Sequence, residues 1–176
     1  TFSDTQSSGD GADGLEIFAA NNANVELSVA DSNFLRNATN GFAASAAGTA
    51  IIDVEITGST FDPQEGPGIA INLNAINNSR LNLDVRNNPV AYSNGGPAIN
   101  VAAFDQAVIA GHISGNSDIQ VGGAETSGSG IRVQVNDNAS GALIVENNTI
   151  SNIGWDSGIA VTSRPDLLPA PNGRLD

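Results

Sequence analysis

A glycine followed by small and apolar residues returns along this chain at nearly constant intervals, and no other feature limits the available folds as much. The segments are Gly14-Leu15-Glu16-Ile17, Gly41-Phe42-Ala43-Ala44, Gly68-Ile69-Ala70-Ile71, Gly96-Pro97-Ala98-Ile99, Gly130-Ile131-Arg132-Val133 and Gly158-Ile159-Ala160-Val161, at intervals of 27, 27, 28, 34 and 28 residues. A unit this short buries its apolar face only against its neighbours, so the period implies a solenoid. Each unit continues into a second segment of period two: Val25-Leu27-Val29, Ile52-Val54-Ile56, Leu81-Leu83-Val85, Ile109-Gly111-Ile113 and Gly141-Leu143-Val145. That alternation predicts a strand with one buried and one solvated face.

Three residues beyond each second strand stands a small hydrogen-bonding side chain: Ser32, Ser59, Asn88, Asn116 or Asn148. Two residues further on come Phe34, Phe61, Val90, Asp118 and Ile150, with Ile119 one place late in the fourth unit. The five small polar residues are expected to form a structural turn ladder, since stacked Asn side chains can bond along the axis and Asn also tolerates left-handed turns. The segment from Val145 through Asn148 and Ile150 to Gly154, followed by Asp156-Ser157-Gly158-Ile159, resembles the coil repeat of the right-handed parallel β-helices of the pectin-lyase-like superfamily. The resemblance covers about residues 13–162 and implies an all-β, single-stranded, right-handed parallel β-helix of about five to six coils. It does not imply one activity, because the same architecture serves lyases, hydrolases, epimerases, tailspikes and adhesins.

One domain spanning 1–176 is expected, with a polar leader over 1–12 and a Pro-containing tail over 163–176. The Gly/Ser-rich stretch that lengthens the fourth unit, Gly122 to Gly130, reads as a mobile loop. The chain lacks an initial Met, a basic-apolar leader and any run long enough for a membrane span, and reads as a piece of something longer.

Composition removes several chemistries. The chain has 176 residues, 6 basic and 19 acidic, for a net charge of −13, which disfavours nucleic acid as a partner. Every basic residue is an arginine, so lysine Schiff bases are excluded, and with no cysteine so are disulfides and thiolate sites. His112 is the only histidine, which rules out a multi-histidine zinc site within one chain.

The outward positions of the second strands align into two columns: Glu26, Asp53, Asn82, Ala110, Ala142, and Ser28, Glu55, Asp84, His112, Ile144. Asp53, Glu55, Asp84 and His112 are the catalytic candidates, because carboxylates on adjacent coils can act as acid and base or share a cation. Arg80 and Arg86 flank them as candidate substrate groups. A solvated sheet face carries such residues without any chemistry, and that reading stays open. On the first strands the expected columns are Glu16, Ala43, Ala70, Ala98, Arg132, Ala160, and Phe18, Ser45, Asn72, Asn100, Gln134, Thr162; Asn72 and Asn100 are candidate ligand contacts on this flat face. Gly9-Asp10-Gly11-Ala12-Asp13-Gly14-Leu15 matches part of a calcium-binding nonapeptide, making Asp10 and Asp13 candidate calcium ligands, but only one copy is present, and a turn into the first strand is the favoured reading. No other cofactor is implied. Four Asn-x-Ser/Thr sequons, at Asn37, Asn77, Asn138 and Asn147, are what an Asn-rich chain produces by chance.

These features favour an extracellular or cell-surface structural or adhesive segment whose partner is a polysaccharide or a surface protein, with no membrane insertion. Self-association by end-to-end stacking or face packing is a further expectation. The alternative is a lyase or hydrolase of an acidic polysaccharide.

Overall fold

The structure is a computed structural model that describes residues 1–3, 5–8, 12–62, 68–122, 128–153 and 156–164. Period-two segments joined by tight turns become strands, and strands one repeat apart pair in parallel. An opening pair, β1 (Phe2–Ser3) and β2 (Gln6–Ser8), precedes five turns of three strands each. The first turn holds β3 (Leu15–Ala19), β4 (Asn24–Ala30) and β5 (Asn33–Leu35); the second β6 (Phe42–Ala46), β7 (Ile51–Thr57) and β8 (Thr60–Asp62). The third holds β9 (Ile71–Ala75), β10 (Arg80–Arg86) and β11 (Val90–Ser93); the fourth β12 (Ile99–Ala103), β13 (Val108–Ser114) and β14 (Ile119–Val121). The fifth holds β15 (Ile131–Asn136), β16 (Ser140–Glu146) and β17 (Ile150–Ser151), and β18 (Ile159–Arg164) follows. The result is an all-β parallel solenoid of about five turns, with no helix among the described residues.

Three parallel sheets of six strands form its sides. The long sheet, β1-β4-β7-β10-β13-β16, has the register that its alternation predicts: Glu26, Asp53, Asn82, Ala110 and Ala142 form one outward column, and Ser28, Glu55, Asp84, His112 and Ile144 the other. Its inward side chains Ile52, Ile56, Leu81, Val85, Ile109 and Ile113 are fully buried.

The medium sheet, β3-β6-β9-β12-β15-β18, corrects the glycine alignment by two residues in its third and fourth strands. Phe42 pairs with Ile71 and Ile71 with Ile99, so the place of Gly41 is taken by the buried Ala70 and Ala98 rather than by Gly68 and Gly96. The columns are therefore Glu16, Ala43, Asn72, Asn100, Arg132, Ala160, and Phe18, Ser45, Asn74, Ala102, Gln134, Thr162. A slip of one residue would have turned the apolar face to water, but a slip of two keeps it inside, and so the pattern alone does not detect it.

In the short sheet, β2-β5-β8-β11-β14-β17, the inward column is Phe34, Phe61, Ala91, Ile119 and Ile150. The strand of the third turn, β11, thus slips like that of the fourth, β14, with Ala91 buried and Val90 only partly so. Phe34 and Phe61 stack with ring centroids 5.0 Å apart and planes 5° from parallel.

Candidate functional site

The turn between long and short sheets is the most ordered polar feature. The Ser32 N–H donates to Ser59 Oγ (3.2 Å), the Ser59 N–H to Asn88 Oδ1 (2.9 Å), the Asn88 N–H to Asn116 Oδ1 (3.1 Å) and the Asn116 N–H to Asn148 Oδ1 (3.1 Å). Each asparagine amide also donates to a main-chain carbonyl one coil below: Asn88 to Ile56, Asn116 to Val85 and Asn148 to Ile113. The left-handed residue of each turn is the one before the ladder: Asp31, Gly58, Asn87, Gly115 and Asn147 have φ between 48° and 66°. The ladder side chains are held by hydrogen bonds, and a neighbour takes the left-handed bend. Thr5 is a sixth member that the repeat pattern misses: its N–H donates to Ser32 Oγ (3.2 Å), and its hydroxyl donates to the Ser3 carbonyl two residues back, as those of Ser32 and Ser59 do to Ala30 and Thr57.

The catalytic candidates meet on the outer face of the long sheet. Because the two outward columns stand up from the strands, a trough of about 350 Å³ runs between them across β4, β7, β10 and β13. Glu26, Asp53, Asn82 and Ala110 form one wall; Ser28, Glu55 and Asp84 form the other. The floor is the main chain at Leu27, Val54, Leu83 and Gly111. Gly111 has φ 141°, and a Cβ there would lie 1.8 Å from the Leu83 carbonyl oxygen, so the floor admits no side chain at that point.

Arg86 binds both Glu55 and Asp84, the latter at 3.0 Å, and so offsets one of the two negative charges on that wall. On the other, Asn82 donates to Asp53 and accepts from Arg80 Nε at 2.9 Å. Both arginines therefore contact the protein's own side chains. Glu26 has no hydrogen-bond or ion-pair partner among the described residues, nor does His112, which stands exposed beside Asp84 on the next strand. Chemically, the trough is a row of oxygen acceptors with four carboxylates against two guanidinium groups.

Asn72 and Asn100 lie on the medium sheet, away from the trough. They join a second row: Arg132 Nε donates to Asn100 Oδ1 (2.9 Å), Asn100 Nδ2 to Asn72 Oδ1 (2.8 Å), and Asn74 Nδ2 to the same oxygen (3.2 Å). Asn100 is 4% exposed, so its amide serves the row before any ligand. Asp10 lies outside the described residues. Asp13 Oδ1 accepts from the Asn40 N–H (2.8 Å), from Asn40 Nδ2 (2.9 Å) and from the Thr39 hydroxyl, which fixes the entry to β3 against the turn above it. Among the described residues no three His, Asp or Glu side chains converge as a metal cluster.

Neither family models, nor curated proteins, nor solved structures give a match to this chain.

Proposed function

We propose that this chain is a pectin-lyase-like, right-handed β-helical segment of a larger surface or secreted protein, which presents its outer faces to glycans or protein partners without transforming them. The trough on the long sheet carries this reading. It crosses four coils along the solenoid axis, the direction in which an extended polymer would lie, and its walls offer carboxylate and amide oxygens to donor hydroxyls. The excess of carboxylates favours a neutral, hydroxyl-rich chain over an acidic one. An acidic, lysine-free composition suits an extracellular location.

A second reading rests on the same walls: Asp53 and Asp84 stand diagonally across the floor, on neighbouring strands and in opposite columns, and a pair of carboxyl groups on two sides of a substrate is what glycosidic acid/base chemistry uses. A panel of neutral and acidic polysaccharides, followed for binding and for new reducing or unsaturated ends, separates the two. Binding to neutral glycans without cleavage, weakened about tenfold by Glu26→Gln with Asp84→Asn, is the expected result. Cleavage that Asp84→Asn abolishes would establish the enzyme instead, and neither binding nor cleavage would leave a structural spacer.

A further inference from the structure

Three asparagines in this chain precede a glycine: Asn40-Gly41, Asn94-Gly95 and Asn172-Gly173. Such a pair is chemically distinctive, because glycine has no side chain to shield its main-chain nitrogen from the amide carbon beside it, and asparagine is a heat-labile residue. The third pair lies outside the described residues. The other two occupy the same corner, between the short and the medium sheet, two coils apart, and their surroundings are opposite.

Asn40 is fastened on both sides. Its side-chain Nδ2 donates to Asp13 Oδ1 at 2.9 Å, and its main-chain N–H donates to the same oxygen at 2.8 Å. The Gly41 N–H donates to the Ile69 carbonyl at 3.0 Å, and Gly41 is buried. The nitrogen that would attack is thus committed to the next coil, and the amide that would be attacked is held by a carboxylate on the preceding one.

Asn94 has neither restraint. Its side chain is exposed and makes no hydrogen bond among the described residues. The Gly95 N–H reaches only Ser93 Oγ, at 3.5 Å, where a hydrogen bond is at its weakest. The bend is anchored to either side of the pair instead. Ser93 is buried, its hydroxyl lies 2.8 Å from the carbonyl oxygens of Gly68 and Gly96, and it accepts from the Gly96 N–H at 3.2 Å. Asn94 and Gly95 therefore form a span that is held at its ends and not in its middle.

We infer that Asn94-Gly95 is a site of spontaneous covalent modification, at which Asn94 is converted to aspartate or isoaspartate. The Gly95 main-chain nitrogen gives up its proton to base and bonds to Asn94 Cγ; the bond from Cγ to Nδ2 breaks, and Nδ2 leaves as ammonia after taking up a proton. One water then opens the resulting five-membered imide at either carbonyl. Opening at Cγ gives aspartate, and opening at the main-chain carbonyl gives isoaspartate, in which the chain runs on through Cγ. Nothing is oxidised or reduced. Each conversion adds one negative charge, and isoaspartate also lengthens the main chain by one carbon at the corner between β11 and β12. An amide nitrogen is a nucleophile only once deprotonated, so the rate rises with pH. The inference is independent of what the trough binds.

Arginine-specific digestion of the full chain tests it. Cleavage after Arg36, Arg80, Arg86 and Arg132 places Asn40-Gly41 in residues 37–80 and Asn94-Gly95 in residues 87–132, with no other Asn-Gly pair in either peptide. The folded protein is held for days at pH values of about 7 and about 9, and each peptide is scored against an unaged sample for the gain of about 1 Da and for isoaspartate. Asn94 should convert at least about tenfold faster than Asn40, and faster at the higher pH. In urea, which removes the hydrogen bonds of Asn40, the two rates should converge. Gly95→Ala should suppress conversion of Asn94 and leave Asn40 unchanged; Gly95 has no left-handed φ, so alanine suits its backbone. Equal rates at the two sites in the folded chain, or an Asn94 that converts in urea but stays intact when folded, would overturn the inference.

Discussion

Asn116, wholly buried, holds together three coils: it accepts from Asn88, and it donates to the Val85 carbonyl and to Asn148 Oδ1 (2.8 Å). Replacing it with alanine strands a buried N–H on one side and a buried carbonyl on the other, and each orphan costs about 1–3 kcal/mol. Asn116→Ala should therefore lower the unfolding free energy by about 3 kcal/mol in urea titration. Asn116→Ser should recover about half of that, because Ser32 and Ser59 fill the same place with a hydroxyl. Arg86→Ala is the contrasting case. Its two ion pairs look strong, but its side chain is 45% exposed, and pairs in that setting contribute about 1 kcal/mol or less. Stability measured in low and in high salt should differ little between that variant and the parent. At Gly111 the main chain itself is the obstacle, and Gly111→Ala should destabilise by more than about 1 kcal/mol while distorting the trough floor.

At the scale of elements, the three sheets differ in how clearly the sequence announces them. The long sheet is legible to the residue because seven alternating positions leave one register that buries Ile52, Val54 and Ile56 over Leu81, Leu83 and Val85. The medium strands are shorter and rich in alanine, and Gly68 and Gly96 imitate the strand entry at Gly41 two residues early; only pairing across the sheet removes the ambiguity. In the short sheet three residues are too few for a period, and the inward member after Asn88 is as small as Ala91. The trough follows from the long sheet, so its walls were readable, including Asp53, Glu55 and Asp84. The pairing of Arg86 with two carboxylates, and the burial of Asn100, depend on rotamers and neighbours that no column reveals. Phe34 and Phe61 are the bulkiest fully buried side chains of the short sheet, and Phe61→Ala should cost about 3–5 kcal/mol by thermal or urea unfolding, more than any substitution on the outer faces.

As a whole, the molecule is a one-dimensional stack in which each coil touches only the coils above and below, so stability is a sum over coils and is least at the ends. Amide exchange should be slowest in β7, β10 and β13, which pair on both sides, and faster in β16, β17 and β18, which pair on one side only among the described residues. The ladder gives this stack a direction as well as a length. From Thr5 to Asn116, each ladder main-chain N–H finds its acceptor on the coil that comes later in the chain, never on the earlier one. Synthesis delivers the amino terminus first, so a newly made coil has its polar turn open until its successor arrives and closes it. Growth then runs one way, like a zipper whose slider is always the newest turn, and the chain remains receptive at its leading edge for as long as it is being made.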